Sequence, residues 1–560
     1  MKKRIIYWFV GAVLIVCVGA AAVSENPDFR LGRSMEIVVN ILREINMFYV
    51  DETDPEKLLA GAAMGITYEL DPYTTWMSAD EMEDFQVAAT GRYGGIGSLI
   101  RTGGDYVMIA QPYAGSPADR AGLAIGDRLL SIDGVSVVGA GSEAASAMLR
   151  GDPGTTFTLT VRKLASGEEE TMQITRERIV IPGVAYHAML NDSIGYIKHT
   201  DFSDRCGDDM RRALLELSAD GRLKGLVLDY RGNGGGILQE AVKILSMFVP
   251  RGTEVVSMRG RAQETNFVFR TENEPIAADL PIVVLTGLDY RPGGSVAIPE
   301  ISASAAEIVA GALQDLDRAV IVGQRTFGKG LVQSTRPTGY NTWLKLTTAR
   351  YYIPSGRCIQ AVDYARRTED GGIVSIPDSL VRAFATAGGR TVYDGGGIVP
   401  DIPIDPMEFS LFTMIVQGRG YIDDFGDEHT RRNPSAGAPL AVDDALYGEF
   451  MRFMADKDVE YESRTKLALA ELRRNAEREL FYDDIREDLE RIERSLRDDK
   501  ENSLRLYRAQ LSRLILDNLI MRRNYASGVT KHHLPHDTAV RAALDVLQDG
   551  ERYRAILSGD

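Results

Sequence analysis

Hydrophobic and polar positions change their period several times along the 560-residue chain. Early on, Val38, Ile41, Leu42 and Ile45 recur at the three-and-four spacing of one helix face. A second helix is predicted over "PEKLLAGAAMGITYEL", stopping at Asp71-Pro72 because the residue before a proline disfavours helix. Together they read as a small helical platform whose faces bury equally well within one chain or between two. From about Gly91 the period shortens to two. "TTFTLTVRK" alternates as a strand, and "YGGIGSLI" feeds a glycine loop into another. "SPADRAGLAIGDRLLSIDGVSV" predicts a short helix, a turn, a strand and a hairpin turn at Asp133-Gly134.

Between 179 and about 405, short apolar runs alternate with amphipathic ones. "DSIGYIKH", "LKGLVLDY", "LPIVVLTG" and "AVIVGQ" read as strands. "CGDDMRRALLELSA", "ILQEAVKILSMFV" and "SAAEIVAGALQDL" read as helices. That alternation implies parallel β-α-β units. Beyond about 440 the character changes again. Ile485, Leu489, Ile492 and Leu496 form a stripe among interleaved acids and bases, which predicts a solvated helix or helical hairpin used for packing or pairing.

Composition narrows the field. A chain this long needs several cores. Its formal charge of −16 argues against a nucleic-acid binder, which needs a basic face. Only three cysteines occur, at 17, 206 and 358, so no disulfide scaffold is expected and at most one bridge joins Cys206 to Cys358. No zinc-type spacing is present. His532, His533 and His536 stand beside Pro535 in a loop-like segment that reads as a solvated turn rather than a metal site. Neither metal nor cofactor is expected. Lys2, Lys3 and Arg4 precede an uncharged apolar run from Ile5 to Val23, ending in "GAAAVS", the pattern of an export signal. The run is almost long enough to span a bilayer, so a cleaved leader and an uncleaved anchor both remain open. Cys17, preceded by valine, is a poor match to a lipoprotein cleavage site.

Candidate chemistry concentrates in three segments. "EISASAAEIVAG" puts Ser302 and Ser304 at the mouth of a helix, flanked by alanines small enough to admit a substrate carbonyl. A serine needs a neighbouring base to act as nucleophile. Lys329, in "GQRTFGKGLVQ", stands in the next β-α-β element between two glycines, and burial makes a lysine a base by disfavouring its charged form. Gln333 returns to the same face of an extended strand and is placed to orient the amine. "RGNGGG", leaving a buried strand for a helix, exposes backbone N–H groups of the kind an oxyanion hole requires, and the N–H after the nucleophile, that of Ala305, is the usual partner.

These segments, in this order, resemble the C-terminal processing (tail-specific) peptidases of family S41. "SPADRAGLAIGDRLLSIDG" resembles the signature of a bacterial PDZ domain. The family's S-A-S-A-S-E pattern reads Ser302-Ala303-Ser304-Ala305-Ala306-Glu307 here, which makes Ser304 the nucleophile. Its F-G-K-G-x-V-Q pattern covers Phe327 to Gln333, which makes Lys329 the base and Gln333 the supporting amide. "LDYRGNGGG" matches the oxyanion strand end, with Gly236 the donor alongside Ala305. "ARYYIPSGRCIQ" and "GGGIVPDIPI" resemble the segments that close the family's core.

The resemblance spans about 30 to 405 and implies a multidomain α/β protein. Its expected parts are a signal peptide or membrane anchor (1–23), an N-terminal helical region (24–90), a β-rich PDZ domain (91–178), a ClpP/crotonase-like α/β serine peptidase core (179–405) and a C-terminal helical extension (406–560). It also implies that Tyr93, Gly94, Gly95, Ile96 and Gly97 form the loop that holds a peptide's terminal carboxylate. Arg150, at the end of the PDZ helix, is expected to face the catalytic core and steady Lys329 and Gln333. The implied partners are proteins or peptides with free C-termini. Membrane attachment through the N-terminus and a homodimer through the helical ends are both compatible with the pattern. The implied location is the bacterial envelope, periplasmic or anchored to the inner membrane.

Two departures stand out. About a dozen extra residues, 287–300, precede the serine motif where the family has a very short turn, either as a lid or as a displacement of Ser304. A second insertion, about 362–395, is expected on the surface, with a short helix at "IPDSLVRAF". Three rival readings fare less well. A Ser-His-Asp hydrolase needs a histidine near Ser304, and the core supplies only His187 and His199, in no motif. Ser463 to Lys466 forms an S-x-x-K match in a charged run without partner motifs. A catalytically inactive PDZ scaffold that binds protein C-termini is the alternative from a different class.

Overall fold

A computed structural model describes residues 27–289, 300–367, 372–405, 408–434, 436–459, 464–495 and 500–559. The leader, the middle of the 287–300 insertion and Ser463 lie outside the described residues. The chain divides into two compact units, one holding the chain up to Met82 with Gln333–Thr347, the other holding the remainder.

In the first unit, helices Pro27–Phe48 and Pro55–Tyr68 confirm the early periodicity. Asp54 caps the second helix by accepting the N–H groups of Glu56 and Lys57, which the free helix start would otherwise leave unpaired. Part of that apolar stripe stays exposed, Val38 at 38% and Ile41 at 52%. Strand Thr75–Met77 pairs antiparallel with residues Trp343 to Lys345. The hairpin turn here is Tyr340-Asn341, both at positive φ, as a tight two-residue turn demands.

The second unit carries two sheets that matter for function. The first is antiparallel, in the order Ser98–Gly103, Tyr106–Pro112, Arg128–Ile132, Thr156–Arg162, Glu169–Thr175. Its inward positions, among them Ile109, Leu129, Phe157 and Leu159, build a separate core. Asp133 and Gly134 turn at positive φ as predicted. The second sheet runs Val184–Met189, Ile194–His199, Gly225–Asp229, Ile282–Thr286, Ala319–Gly323, Ile402–Pro403, antiparallel at the first pair and parallel after it. Its central strands are buried on both faces, which explains their unbroken apolar runs. Leu226 and Leu228 face one core with helices Cys206–Ser218, Leu238–Leu245 and Ala305–Asp315. Val227, Val283 and Val320 face another, closed by Ala539, Val540, Ala543, Val546 and Tyr553 from the last two helices.

Two expectations are corrected, the helix at "IPDSLVRAF" and the loop at His532 and His533. "IPDSLVRAF" forms one 3-10 turn, Asp378–Leu380, and then strand Ala383–Ala385. The later part of that insertion is tied down by Arg390, which pairs with Asp317 at 2.6 Å and Asp401 at 2.8 Å. His532 and His533 close the helix Arg508–His533 instead of lying in a loop, and His533 Nε2 meets Asp517 Oδ1 at 2.5 Å. Cys206 and Cys358 are free thiols. The ends of the 287–300 insertion are zipped together, Leu288 opposite Ile301 and Asp289 opposite Glu300.

Candidate active site

Ser302 and Ser304 have different fates. Ser302 is fully buried; its hydroxyl donates to the Tyr230 carbonyl at 2.8 Å and accepts the Gly287 N–H at 3.0 Å. It welds two strand ends together. Ser304 stands just before helix Ala305–Asp315, at φ 56° and ψ −115°. That conformation costs a non-glycine residue on the order of 1–3 kcal/mol and marks a strained strand-to-helix corner of the kind that presents nucleophiles.

What holds the corner is Glu307. Its carboxylate is fully buried, and Oε2 accepts the N–H of Ser304 at 2.8 Å and that of Lys329 at 2.9 Å. Oε1 accepts the Gly328 N–H at 2.7 Å and the Thr326 hydroxyl at 2.5 Å. Burial pushes this carboxyl up to about 7, against the opposing pull of those four hydrogen bonds. On the carbonyl side, the buried Tyr351 hydroxyl lies 2.6 Å from the Lys329 oxygen and 3.2 Å from that of Ser304. One carboxylate oxygen and one phenol oxygen thus grip the same two residues, bringing the serine and lysine segments within a few ångströms of each other. Gly328, at φ 84°, turns the lysine loop where a Cβ would meet that of Ala361 at 2.4 Å.

The glycine-rich turn abuts the serine. A Cβ on Gly235 would lie 2.6 Å from the Ser304 Cβ and 2.8 Å from the Ala305 nitrogen. Asn233 scaffolds this approach: its carbonyl accepts the Ala303 N–H at 2.9 Å, and its side chain accepts the Gly235 N–H at 2.9 Å. Phe202 bridges in parallel to Gly236, taking the Ile237 N–H and donating to the Gly235 carbonyl. In a parallel bridge the central residue's own N–H points to the other side. Among the described residues, neither the Gly236 N–H nor the Ala305 N–H, which opens a helix, has a hydrogen-bond partner.

The remaining candidates are distributed as follows. Gln333 belongs to the first unit, where its amide donates to Thr347 Oγ1 at 3.2 Å and that hydroxyl donates to Asp71 at 3.1 Å. Strand Arg92–Gly95 pairs with Glu177–Val180, and Gly94 packs so tightly on the Gly151 carbonyl that a Cβ would lie 2.0 Å from it. Ile96 and Gly97 turn their carbonyls inward, to the N–H groups of Ala118 and Tyr113. Arg150 departs from expectation. Its guanidinium pairs with Asp84, of helix Ala79–Thr90, and lies 5.9 Å over the Tyr93 ring. Its charge is therefore engaged beside the glycine loop.

Among the described residues, no hydrogen bond joins a histidine side chain to Ser304. His187 pairs with Glu216 at 2.8 Å. His199 is fully buried, which holds it down to about 3, and it packs edge-on against Phe202 and Tyr230. Glu307 and Tyr351 are the site residues that sequence reasoning passed over, although Glu307 stands at the capping-box spacing from Ser304.

Comparison with known proteins identifies the family. The sequence model of peptidase family S41 matches residues 193–366. A PDZ-domain model matches 108–163, and one described as "probable PDZ-protease, C-terminal helical domain" matches 412–547. A carboxy-terminal-processing protease of Bartonella bacilliformis is 33% identical over 367 residues, covering 65% of this chain and 81% of that protein. A probable CtpA-like serine protease of Staphylococcus aureus is 33% identical over 58% of this chain and 62% of its own length. Among solved structures, the photosystem II D1 C-terminal processing protease aligns at 25% identity with a TM-score of 0.34, over 68% of this chain and 89% of that one. With most of a named relative matched and all three domain types in order, the chain belongs to peptidase family S41 as a PDZ-bearing, serine-type C-terminal processing protease.

Proposed function

We propose that Ser304 is the nucleophile and Lys329 its general base, in a Ser-Lys peptidase that receives protein tails from the PDZ domain. The observation that carries this reading is the shared clamp of Glu307 and Tyr351 on the two residues, with Ser304 on a strained corner at a helix start. In the proposed sequence, the neutral Lys329 amine takes the proton as Ser304 Oγ attacks the scissile carbonyl. The N–H groups of Ala305 and Gly236 receive the developing oxyanion. The lysine then protonates the leaving amine, and water releases the acyl group by the same route in reverse.

Substrate capture belongs to the loop Tyr93 to Gly97. Strand Ser98–Gly103 follows it and, among the described residues, pairs on one side only, with Tyr106–Pro112, leaving an edge on which an extended tail adds as a strand. The proposed location is the bacterial envelope. No helix among the described residues is long and apolar enough to cross a membrane; the apolar run at 5–23 lies outside them.

The test compares otherwise identical substrates with free and amidated C-termini. Hydrogen bonds to a charged acceptor contribute about 1.5–3 kcal/mol, so amidation is expected to raise KM roughly tenfold or more with little change in kcat. Equal KM for the two forms contradicts carboxylate capture.

A further inference from the structure

The glycine-rich turn beside Ser304 is anchored from the far end of the chain. Asp229 closes the strand Gly225–Asp229 and is fully buried. Tyr196 donates to its Oδ2 at 2.6 Å. Arg231 grips both oxygens, Nε to Oδ1 at 2.9 Å and Nη2 to Oδ2 at 2.6 Å, and its backbone N–H adds a third bond at 3.0 Å. Burial alone would raise the Asp229 carboxyl, but the charges of Arg231 and Lys198 overrule it and hold the group well below the usual carboxylate range.

One edge of the guanidinium remains. Arg231 is 17% exposed, and its Nη1 donates at 2.7 Å to Oδ2 of Asp537, 306 residues away. Asp537 is the N-cap of helix Thr538–Gln548, whose Oδ1 accepts the N–H groups of Ala539 at 2.9 Å and Val540 at 3.1 Å. A single carboxylate therefore caps a C-terminal helix with one oxygen and completes the arginine with the other. A planar guanidinium with all its edges engaged has one orientation, whereas a mostly buried donor left without an acceptor drives rearrangement.

Arg231 is also the first residue of "RGNGGG". Two residues later comes Asn233, whose carbonyl holds Ala303 and whose side chain holds Gly235 against Ser304. We infer that Asp537, in the C-terminal helical region, is a positioning residue for the peptidase site: it fixes Arg231 and, through it, the turn that faces Ser304. This role rests on the assignment of Ser304 and its neighbouring turn made above.

The test uses the full chain. Asp537→Asn keeps an oxygen for the two cap bonds and removes the charge that Arg231 meets. Its kcat is expected to fall about tenfold or more, as for supporting partners of other active sites, with KM within about twofold and Tm close to wild type. Asp549→Ala removes a comparable cap, on helix Gly550–Ser558, and is expected to lower Tm while leaving kcat unchanged. Combining Asp537→Asn with Arg231→Gln is expected to cost no more than the worse single change, since both break one contact. The inference is overturned by a kcat for Asp537→Asn within about twofold of wild type, or by an equal fall in Asp549→Ala. Ser304→Ala run in parallel separates the two levels. If it still hydrolyses substrate, the assignment of the site fails and the positioning role goes with it; if it is inactive while Asp537→Asn is normal, only the positioning role fails.

Discussion

Two serines one residue apart share a motif, and only their surroundings separate them. Ser302 gives its hydroxyl to two strand ends, while Ser304 sits at positive φ beside a glycine turn. Both positions were visible in the sequence because alanine and glycine around a reactive group leave a local signature. Glu307 was half legible: its spacing predicts a bond back to Ser304, but nothing local shows that the same oxygen also holds Lys329. Its burial has a measurable consequence. The carboxyl's ordinary value of 4.5 rises to about 7 on folding. A raised folded value means that the stability linked to this proton is fully present below about pH 4.5 and is lost as pH climbs through about 7. Relative to the non-titrating Glu307→Gln, the wild type is expected to lose on the order of 3 kcal/mol across that window and nothing further above it. Urea midpoints of both proteins from about pH 4 to 9 read this directly; a difference that stays constant with pH contradicts it.

At the scale of elements, periodicity served best where burial is one-sided or complete. The strand at "TTFTLTVRK" and the helix at "SAAEIVAGALQDL" fall within a few residues of Thr156–Arg162 and Ala305–Asp315. It failed at "IPDSLVRAF", where a proline and a short apolar run gave a helical appearance to a turn and a strand that packs on neighbouring segments. It could not place Arg150 either, because an arginine's partner is set by whatever element folds beside it. That partner is Asp84, on the helix that leads into the glycine loop, with the Tyr93 ring below. The pair is substantially exposed, 36% and 67%, so its loss is expected to cost under about 1 kcal/mol of stability. Any larger effect must appear in peptide handling. Asp84→Ala and Arg150→Ala are expected to raise KM for tail-bearing substrates alike, and the charge-swapped double variant to restore it in part. Normal KM in both single variants would reduce the pair to a solvated contact.

Across the whole molecule, the last two helices, Thr538–Gln548 and Gly550–Ser558, belong to the parallel sheet's own core. Ala539, Val540, Ala543 and Val546 complete one face of the catalytic sheet, and Tyr553 bonds to the backbone of Ile282 and Arg318 inside it. The contacts that join these helices to the sheet span more than 200 residues of sequence and have no local pattern to read. The proposed activity turns on one claim, that Ser304 is acylated with the help of Lys329. The most direct measurement is to quench the enzyme in acid during turnover of a free-tailed peptide, digest it, and locate the substrate's acyl group by mass spectrometry. The expected result is an adduct on Ser304, within residues 300–311, that is absent from Ser304→Ala and from Lys329→Arg, whose guanidinium stays protonated. An adduct on Ser302 or any other residue, or undiminished hydrolysis by Ser304→Ala, would contradict it.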